Sequence, residues 1–258
     1  MTDAGNGETR YTIENGSNRL IEVDGVANTY DANGNLLYDG RHRYRYDARN
    51  RLVAVDNGAT ANYQYNALGQ RIHKTSSWRS ALGADIDTRR SDSTSAIQPD
   101  VVSTTDTVFA YEGAKLLGEY DLLQKPYREI IWMGDIPVAV VQKGELYQIH
   151  SDHLATPVAI TDSNNTIVWR WDRCPFGDTA ANEDPDGDGR AFAFNLRLPG
   201  QYFDGETQLH YNYFRDYNPS LGRYIQSDPI GLEGGLNTYS YVDNNSLIYV
   251  DPTGEALL

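Results

Sequence analysis

Three clusters of side chains hold the chemistry this sequence could perform. The first is a repeated tetrapeptide, Asp228-Pro-Ile-Gly231 and Asp251-Pro-Thr-Gly254, its copies 23 residues apart, with Arg223 just upstream of the first. Taken alone, each copy is turn chemistry: the aspartate accepts a backbone N–H, proline presets φ and glycine closes the turn. The second is His150-Ser-Asp-His153. On an extended strand His150 and Asp152 share a face, which can seat a metal or a His–Asp couple, while His153 points the other way unless the chain turns there. A hydrogen-bonded turn is the plainer use of these residues. The third is Asp184-Pro-Asp-Gly-Asp-Gly189, which copies the first half of a calcium loop: Asp184, Asp186 and Asp188 supply carboxylates at alternate positions and Gly189 supplies the sharp turn. The residue at the loop's last ligand position is Asn195 rather than a bidentate glutamate, so an acidic exposed loop is the plainer reading there too. No cofactor is expected, apart from calcium at this loop.

The elements that must position these residues show themselves through repeats. The segments Asn28-Thr-Tyr-Asp-Ala-Asn-Gly-Asn-Leu36, Tyr44-Arg-Tyr-Asp-Ala-Arg-Asn-Arg-Leu52 and Tyr63-Gln-Tyr-Asn-Ala-Leu-Gly-Gln-Arg71 align without gaps, and their second aromatic falls at Tyr30, Tyr46 and Tyr65, spacings of 16 and 19. A degenerate copy runs from Phe109 to Leu116. Tyr-x-Tyr puts two rings on one face of a strand, because side chains alternate with period two. The following Asp or Asn opens a turn, and Gly34 or Gly69 closes it with positive φ; Asn50, which also tolerates the left-handed region, stands in for glycine in the middle copy. The chain then returns through Leu36, Leu52 or Ile72, so each unit is one step of a winding sheet.

From Ser76 to Thr107 small polar residues dominate without a period, which reads as a long exposed insertion. Strand signals return at Val108–Tyr111, Arg128–Trp132, Val138–Val141, Leu146–Ile149 and Thr166–Trp171, with turns at Gly134-Asp135, Lys143-Gly144 and Asn164-Asn165. The pattern leaves room for a short helix only between Leu232 and Tyr241. The expected organisation is therefore repeat strands over 1–75, the polar insertion over 76–107, a second strand region over 108–180 and a distinct carboxy-terminal part over 181–258.

Composition bounds the function. Of 258 residues 40% are hydrophobic, enough for a sizeable core, and tyrosine dominates the aromatics with 19 residues against 6 Phe and 4 Trp. Tyrosine suits half-buried strands; on a surface, Trp169/Trp171 and Tyr211/Tyr213 would suit a carbohydrate-binding module. The net charge of -14 repels phosphate backbones, so no nucleic-acid partner is expected. The single Cys174 rules out an internal disulfide and a cysteine zinc site. Met1 to Tyr11 lacks the basic-then-apolar order of a secretory signal. No membrane span is expected, since the best apolar run, Ile130 to Val141, is broken by Gly134, Asp135 and Pro137.

The aromatic hairpin units resemble YD repeats. The stretch from Leu146 to Asp162, with Ile167-Val-Trp169 and Pro175-Phe-Gly177, resembles the conserved segment of the RHS family, with Ala155 where that family usually carries glycine. Phe194–Asp204, His210–Pro219, Gly222–Gly231 and Gly235–Tyr241 resemble the RHS repeat-associated core. The resemblance implies an all-β fold: spiralling antiparallel YD-repeat β-hairpins forming a partial β-shell that ends in an irregular RHS core plug. It implies a structural role, secreted or at the cell surface, in a shell that houses, presents or delivers a polymorphic toxin in bacterial competition. The implied partners are the toxin polypeptide or the remainder of an RHS shell, with a secretion system or surface glycan as further contacts.

The resemblance also gives the tetrapeptide pair a second meaning. Paired core aspartates in that family cut the chain just after a terminal Asp-Pro-x-Gly-Leu, which assigns Asp228 and Asp251 to an aspartyl autoprotease. Two neighbouring carboxylates cannot both ionise cheaply, so one holds a proton while the other activates water. Arg223 is expected to hold the ionised form or polarise the scissile carbonyl. Here Glu255 replaces the leucine, and Ser246 replaces a common proline. A glutamate in a pocket shaped for leucine forfeits about 2 kcal/mol of burial and adds a desolvation cost.

Overall fold

The computed structural model describes residues 9–79, 102–255 and 257. Three short strands, β1 (Tyr11–Ile13), β2 (Leu20–Val23) and β3 (Val26–Ala27), form a small sheet, and β4 (Thr29–Tyr30) pairs with β5 (Leu36–Tyr38). An antiparallel sheet of 11 strands follows in strict chain order. It comprises β6 (Tyr44–Tyr46), β7 (Leu52–Val55), β8 (Ala61–Tyr65), β9 (Arg71–Arg79), β10 (Val102–Glu112), β11 (Lys115–Tyr120), β12 (Pro126–Met133), β13 (Ile136–Gln142), β14 (Glu145–Ser151), β15 (Pro157–Thr161) and β16 (Ile167–Arg170). The carboxy-terminal part adds a four-stranded sheet of β17 (Tyr202–Asp204), β18 (Leu209–Asn212), β19 (Arg215–Asn218) and β20 (Arg223–Tyr224). The fold is all-β, and no α-helix occurs among the described residues; the span between Leu232 and Tyr241 holds only part of a 3-10 turn, Gly231–Gly234.

The repeat unit has a common geometry. Tyr30 lies opposite Leu36, Tyr46 opposite Leu52, and Tyr65 opposite Arg71, each next to a register shift. Between the members of each pair, the side-chain oxygen of Asp31, Asp47 or Asn66 accepts the backbone N–H of Asn35, Arg51 or Gln70 at 2.8, 3.1 and 3.0 Å. Gly34, Asn50 and Gly69 take φ of 84, 60 and 90°. The same device closes three hairpins that tyrosine spacing does not mark: Tyr120 faces Pro126, Ser151 faces Pro157, and Thr161 faces Ile167, around Asp121, Asp152 and Asp162. The hydroxyls explain why the marker residue is tyrosine. Tyr30 donates to the Leu20 carbonyl at 3.1 Å, Tyr46 to Leu36 at 2.9 Å and Tyr65 to Leu52 at 2.7 Å, so each hairpin is tied to the one before it.

The expected insertion over 76–107 is shorter than its composition suggests. Arg79 pairs with Val102 and Ser76 with Thr105, so both flanks continue β9 and β10. A Ser/Thr run here is strand because β-branched threonine suits a pleated edge and its hydroxyl needs no burial. The remainder of the insertion lies outside the described residues.

The core sits between the sheet and the carboxy-terminal part. Phe109, Leu116, Ile130, Val140, Ile149, Ile160 and Trp169 line one sheet face and pack against Phe192, Phe194, Leu196, Leu198 and Tyr202. Near the amino end Leu36, Tyr44, Leu52 and Tyr63 pack against Leu209 and Ile225. The chain from Trp171 onward is thus a plug seated on a curved wall.

Candidate functional site

The plug brings Asp228 and Asp251 together on one guanidinium. Arg215, projecting from β19, sits with Nη2 2.7 Å from Asp228 Oδ2 and 3.5 Å from Asp251 Oδ2, and all three side chains are almost fully buried. Tyr224 donates its hydroxyl to Asp251 Oδ2 at 2.8 Å, and the Arg215 guanidinium lies 3.7 Å from the centre of that ring. Both tetrapeptides also keep their turn chemistry: Asp228 Oδ1 accepts from the Ile230 N–H at 3.0 Å, and Asp251 Oδ1 from Gly254 and Glu255 at 2.8 and 3.1 Å.

One guanidinium serves two carboxylates, so full ionisation is opposed. Burial raises the Asp228 carboxyl above its ordinary value against the pull of Arg215, and Asp251 adds to the rise. Burial likewise raises Glu255, with Asp228 and Asp251 adding to it. The backbone after Asp251 is held against this cluster: Arg215 Nε donates to the Gly254 carbonyl, and Thr253 O accepts from Phe214 N at 3.0 Å. Gly234 packs over the carboxylate, since a Cβ there would stand 2.6 Å from Asp228 Oδ2 and 3.1 Å from the Glu255 carbonyl. Carboxylate and carbonyl therefore share the space above Gly234. Such an arrangement can polarise a carbonyl through Arg215 and hold a proton on one of two acids.

Arg223 does not take the role the sequence suggested. Its Nη2 donates to the Asn18 carbonyl and its guanidinium stacks 4.9 Å from the Tyr239 ring, so it ties the plug to the amino-terminal hairpins. Arg215 holds the pair instead. The signal in the sequence is the Arg215-Asp216 pair inside an aromatic strand, where charge is affordable only if partnered.

The other candidates have separate partners. His150 Nε2 lies 3.0 Å from Thr161 Oγ1, Asp152 closes its hairpin and pairs with Arg173 at 2.6 Å, and His153 Nε2 lies 3.1 Å from the Leu247 carbonyl. Asp184, Asp186 and Asp188 do converge, with one oxygen of each within 4.8 Å of the others. Asn195, at the loop's last ligand position, donates its amide to Tyr202 Oη at 2.9 Å. Trp169, Trp171 and Tyr211 are core residues, which removes the sugar-stacking use of those aromatic pairs.

A wall of Asp-closed hairpins, tied by tyrosine hydroxyls and covered on one face by an irregular plug, defines a YD-type shell segment. A family model described as Teneurin YD-shell matches residues 132–247. Over 261 residues the chain is 30% identical to the probable deoxyribonuclease RhsA of Dickeya dadantii, covering 92% of this chain and 16% of that protein. It is 29% identical over 292 residues to toxin protein Tse5 of Pseudomonas aeruginosa, covering 98% and 20%, and 28% identical over 271 residues to double-stranded DNA deaminase toxin A of Burkholderia cenocepacia, covering 93% and 17%. The chain thus spans a fifth or less of the length of these relatives. The crystal structure of TcdB2-TccC3 shares its fold at a TM-score of 0.66 and 22% identity, over 95% of this chain and 12% of that one. Across wall and plug the chain is similar to RHS and YD-repeat proteins, and its fold is that of a segment of a YD-type β-shell.

Proposed function

We propose that this chain forms wall and plug of a shell that houses a toxin polypeptide and presents it outside the producing cell. The observation that carries the reading is the one-sided architecture: a continuous 11-stranded wall whose covered face is filled by the plug. The similarity to proteins named as toxins over nearly the whole chain supports it. The test is limited proteolysis of the complete gene product, comparing the intact segment with a variant whose plug is undocked by Asp204→Asn. The toxin polypeptide should resist protease in the first and be degraded in the second. Equal sensitivity in both would refute an enclosing role.

A second reading is favoured by the carboxylate pair: self-cleavage after Glu255. Asp228 and Asp251 would share a proton, Arg215 would hold the backbone in place, and water would add to the Glu255 carbonyl as the peptide nitrogen leaves with a proton. The test is intact mass after prolonged incubation of a version extended beyond Leu258. Cleavage should be slow, faster with Glu255→Leu and absent with Asp228→Asn; a product unaffected by Asp228→Asn would exclude this pair as its source.

A further inference from the structure

A cavity of about 380 Å³ opens where the hairpin turns at Gly113-Ala114 and Gly134-Asp135 meet the plug segment Leu196–Tyr202. Its wall is largely apolar, with Leu116, Trp132, Leu154, Leu198 and Tyr211 contributing. Its volume falls in the range of small-molecule sites, which pair an apolar body with a few placed polar groups.

Two of the polar groups on this wall, on Gln201 and Tyr111, lack hydrogen-bond partners. Gln201 is 1% exposed, and its Nε2 has no hydrogen-bond partner. Burial keeps His210 neutral far below its ordinary pKa, and its Nδ1 lies 2.7 Å from Gln201 Oε1. The imidazole N–H therefore donates to that oxygen and fixes the amide, leaving the NH₂ unclaimed. Tyr111 Oη, on the same wall, is also buried without a partner. Arg197, 4% exposed, donates to the carbonyls of Phe194 and Leu196 but has no carboxylate within ion-pair distance among the described residues. Burial draws its guanidinium down to about 10, as expected for a cation short of counter-charge. Buried donors left unpaired are costly unless something in the cavity accepts from them.

We propose that this cavity binds a small aromatic carboxylic acid, with its ring among Trp132, Tyr211 and Leu198 and its carboxylate toward Arg197 and Gln201. A bidentate guanidinium–carboxylate contact in a dry site is the strong form of such recognition. The larger cavity of about 750 Å³ also touches Arg197, but on its wall Glu119, Asp178, Glu183 and Glu206 outnumber Lys74 and Arg128, so an anion is less favoured there. The acids on the smaller cavity's wall are Glu112 and Asp135, and Asp135 is paired with Lys115 at 3.0 Å. The inference is independent of the shell and cleavage readings.

The test is calorimetric titration with 1-naphthoate and with its methyl ester. The acid should bind saturably and the ester at least tenfold more weakly. Tyr111→Phe, which removes only an unpartnered oxygen and leaves the melting temperature unchanged or higher, should weaken the acid about fivefold. Ala114→Trp, placed in a hairpin turn at the mouth, should abolish binding while leaving the melt intact. No saturable binding of the acid at millimolar concentration, equal affinity for acid and ester, or binding undiminished by Ala114→Trp would each overturn the proposal.

Discussion

The wall and the plug solve the same problem, burying one face of a short-stranded sheet, by opposite means. In the wall the YD-type hairpins are closed by their own Asp or Asn, and those of Tyr30, Tyr46 and Tyr65 are tied to the preceding unit by the tyrosine hydroxyl, so these partners lie 4 to 13 residues apart in sequence. In the plug, buried charges reach across the chain. Arg71 of the wall pairs with Asp204 of the plug 133 residues away, Lys74 lies 2.8 Å from the same carboxylate and 3.2 Å from Glu206, and Tyr63 donates to Glu206 at 3.2 Å. Short-range bonds make a wall that repeats and tolerates variation. Long-range charges make a joint that fits at one register only, because a mismatched ion would be buried unpaired.

The largest way to break this contrast is Asp204→Asn. Burial opposes ionisation of Asp204, but the Arg71 and Lys74 cations outweigh it and hold its carboxyl below the ordinary range. Removing it strands the buried Arg71 and leaves Lys74 with Glu206 alone, which should cost about 3–5 kcal/mol. Urea melts should show that loss, with Trp171 of the plug exposed before the wall unfolds. Because this carboxyl is depressed in the folded state, its contribution is present above the unfolded pKa near 3.9 and fades as pH falls through the lower folded value. A variant within about 1 kcal/mol of the parent at pH 7 would show that the joint rests on packing rather than charge.

Asp216 sharpens the comparison with the opposite sign. It is a plug carboxyl without a cation partner: Gln226 Nε2 donates to its Oδ2 at 2.6 Å and its own N–H donates to Gln226 Oε1 at 2.8 Å. Burial pushes it up to about 7. A carboxyl raised on folding binds its proton more tightly in the native state, so its stabilisation is full at low pH and is lost as pH rises from about 3.9 through about 7. The loss should be roughly 3 kcal/mol between pH 4.5 and pH 7. Asp216→Asn keeps the amide pairing and should remove that slope, leaving stability near the parent at pH 4.5 and above it at pH 8. An unchanged slope in denaturation at the two pH values would move the titration elsewhere.

This division also explains what the sequence revealed. Tyr30, Tyr46 and Tyr65 could be aligned by eye because each reports on bonds inside its own unit, and β13, β14 and β16 follow from alternation and turn residues alone. Arg215 could not be found that way. Its carboxylate partners lie 13 and 36 residues downstream, and Arg223, also in a strand and nearer to Asp228 in sequence, is the more obvious choice. The hairpins at Asp121, Asp152 and Asp162 fall between these cases. Their turn chemistry is local, but Ser151 and Thr161 replace the tyrosine that makes the unit visible.

Ala155 tests how far the repeat tolerates variation. It occupies the slot filled by Gly34, Asn50 and Gly69 elsewhere, with φ of 66°, where a Cβ is strained. The hairpin closes all the same: Asp152 Oδ1 accepts from Leu154 and Thr156 at 2.9 and 3.0 Å, and Ala155 N donates to the Asp152 carbonyl at 3.1 Å. Local hydrogen bonds thus carry a conformation the residue disfavours by about 1–2 kcal/mol. Ala155→Gly should relieve that strain and lose some of the gain to glycine's greater freedom in the unfolded chain, for a net stabilisation of about 0.5–1 kcal/mol. The thermal midpoint should rise by a few degrees. A fall would mean that the methyl group contributes more through packing beside the plug than the left-handed backbone costs, and the wall would then depend on the plug even at its most local turn.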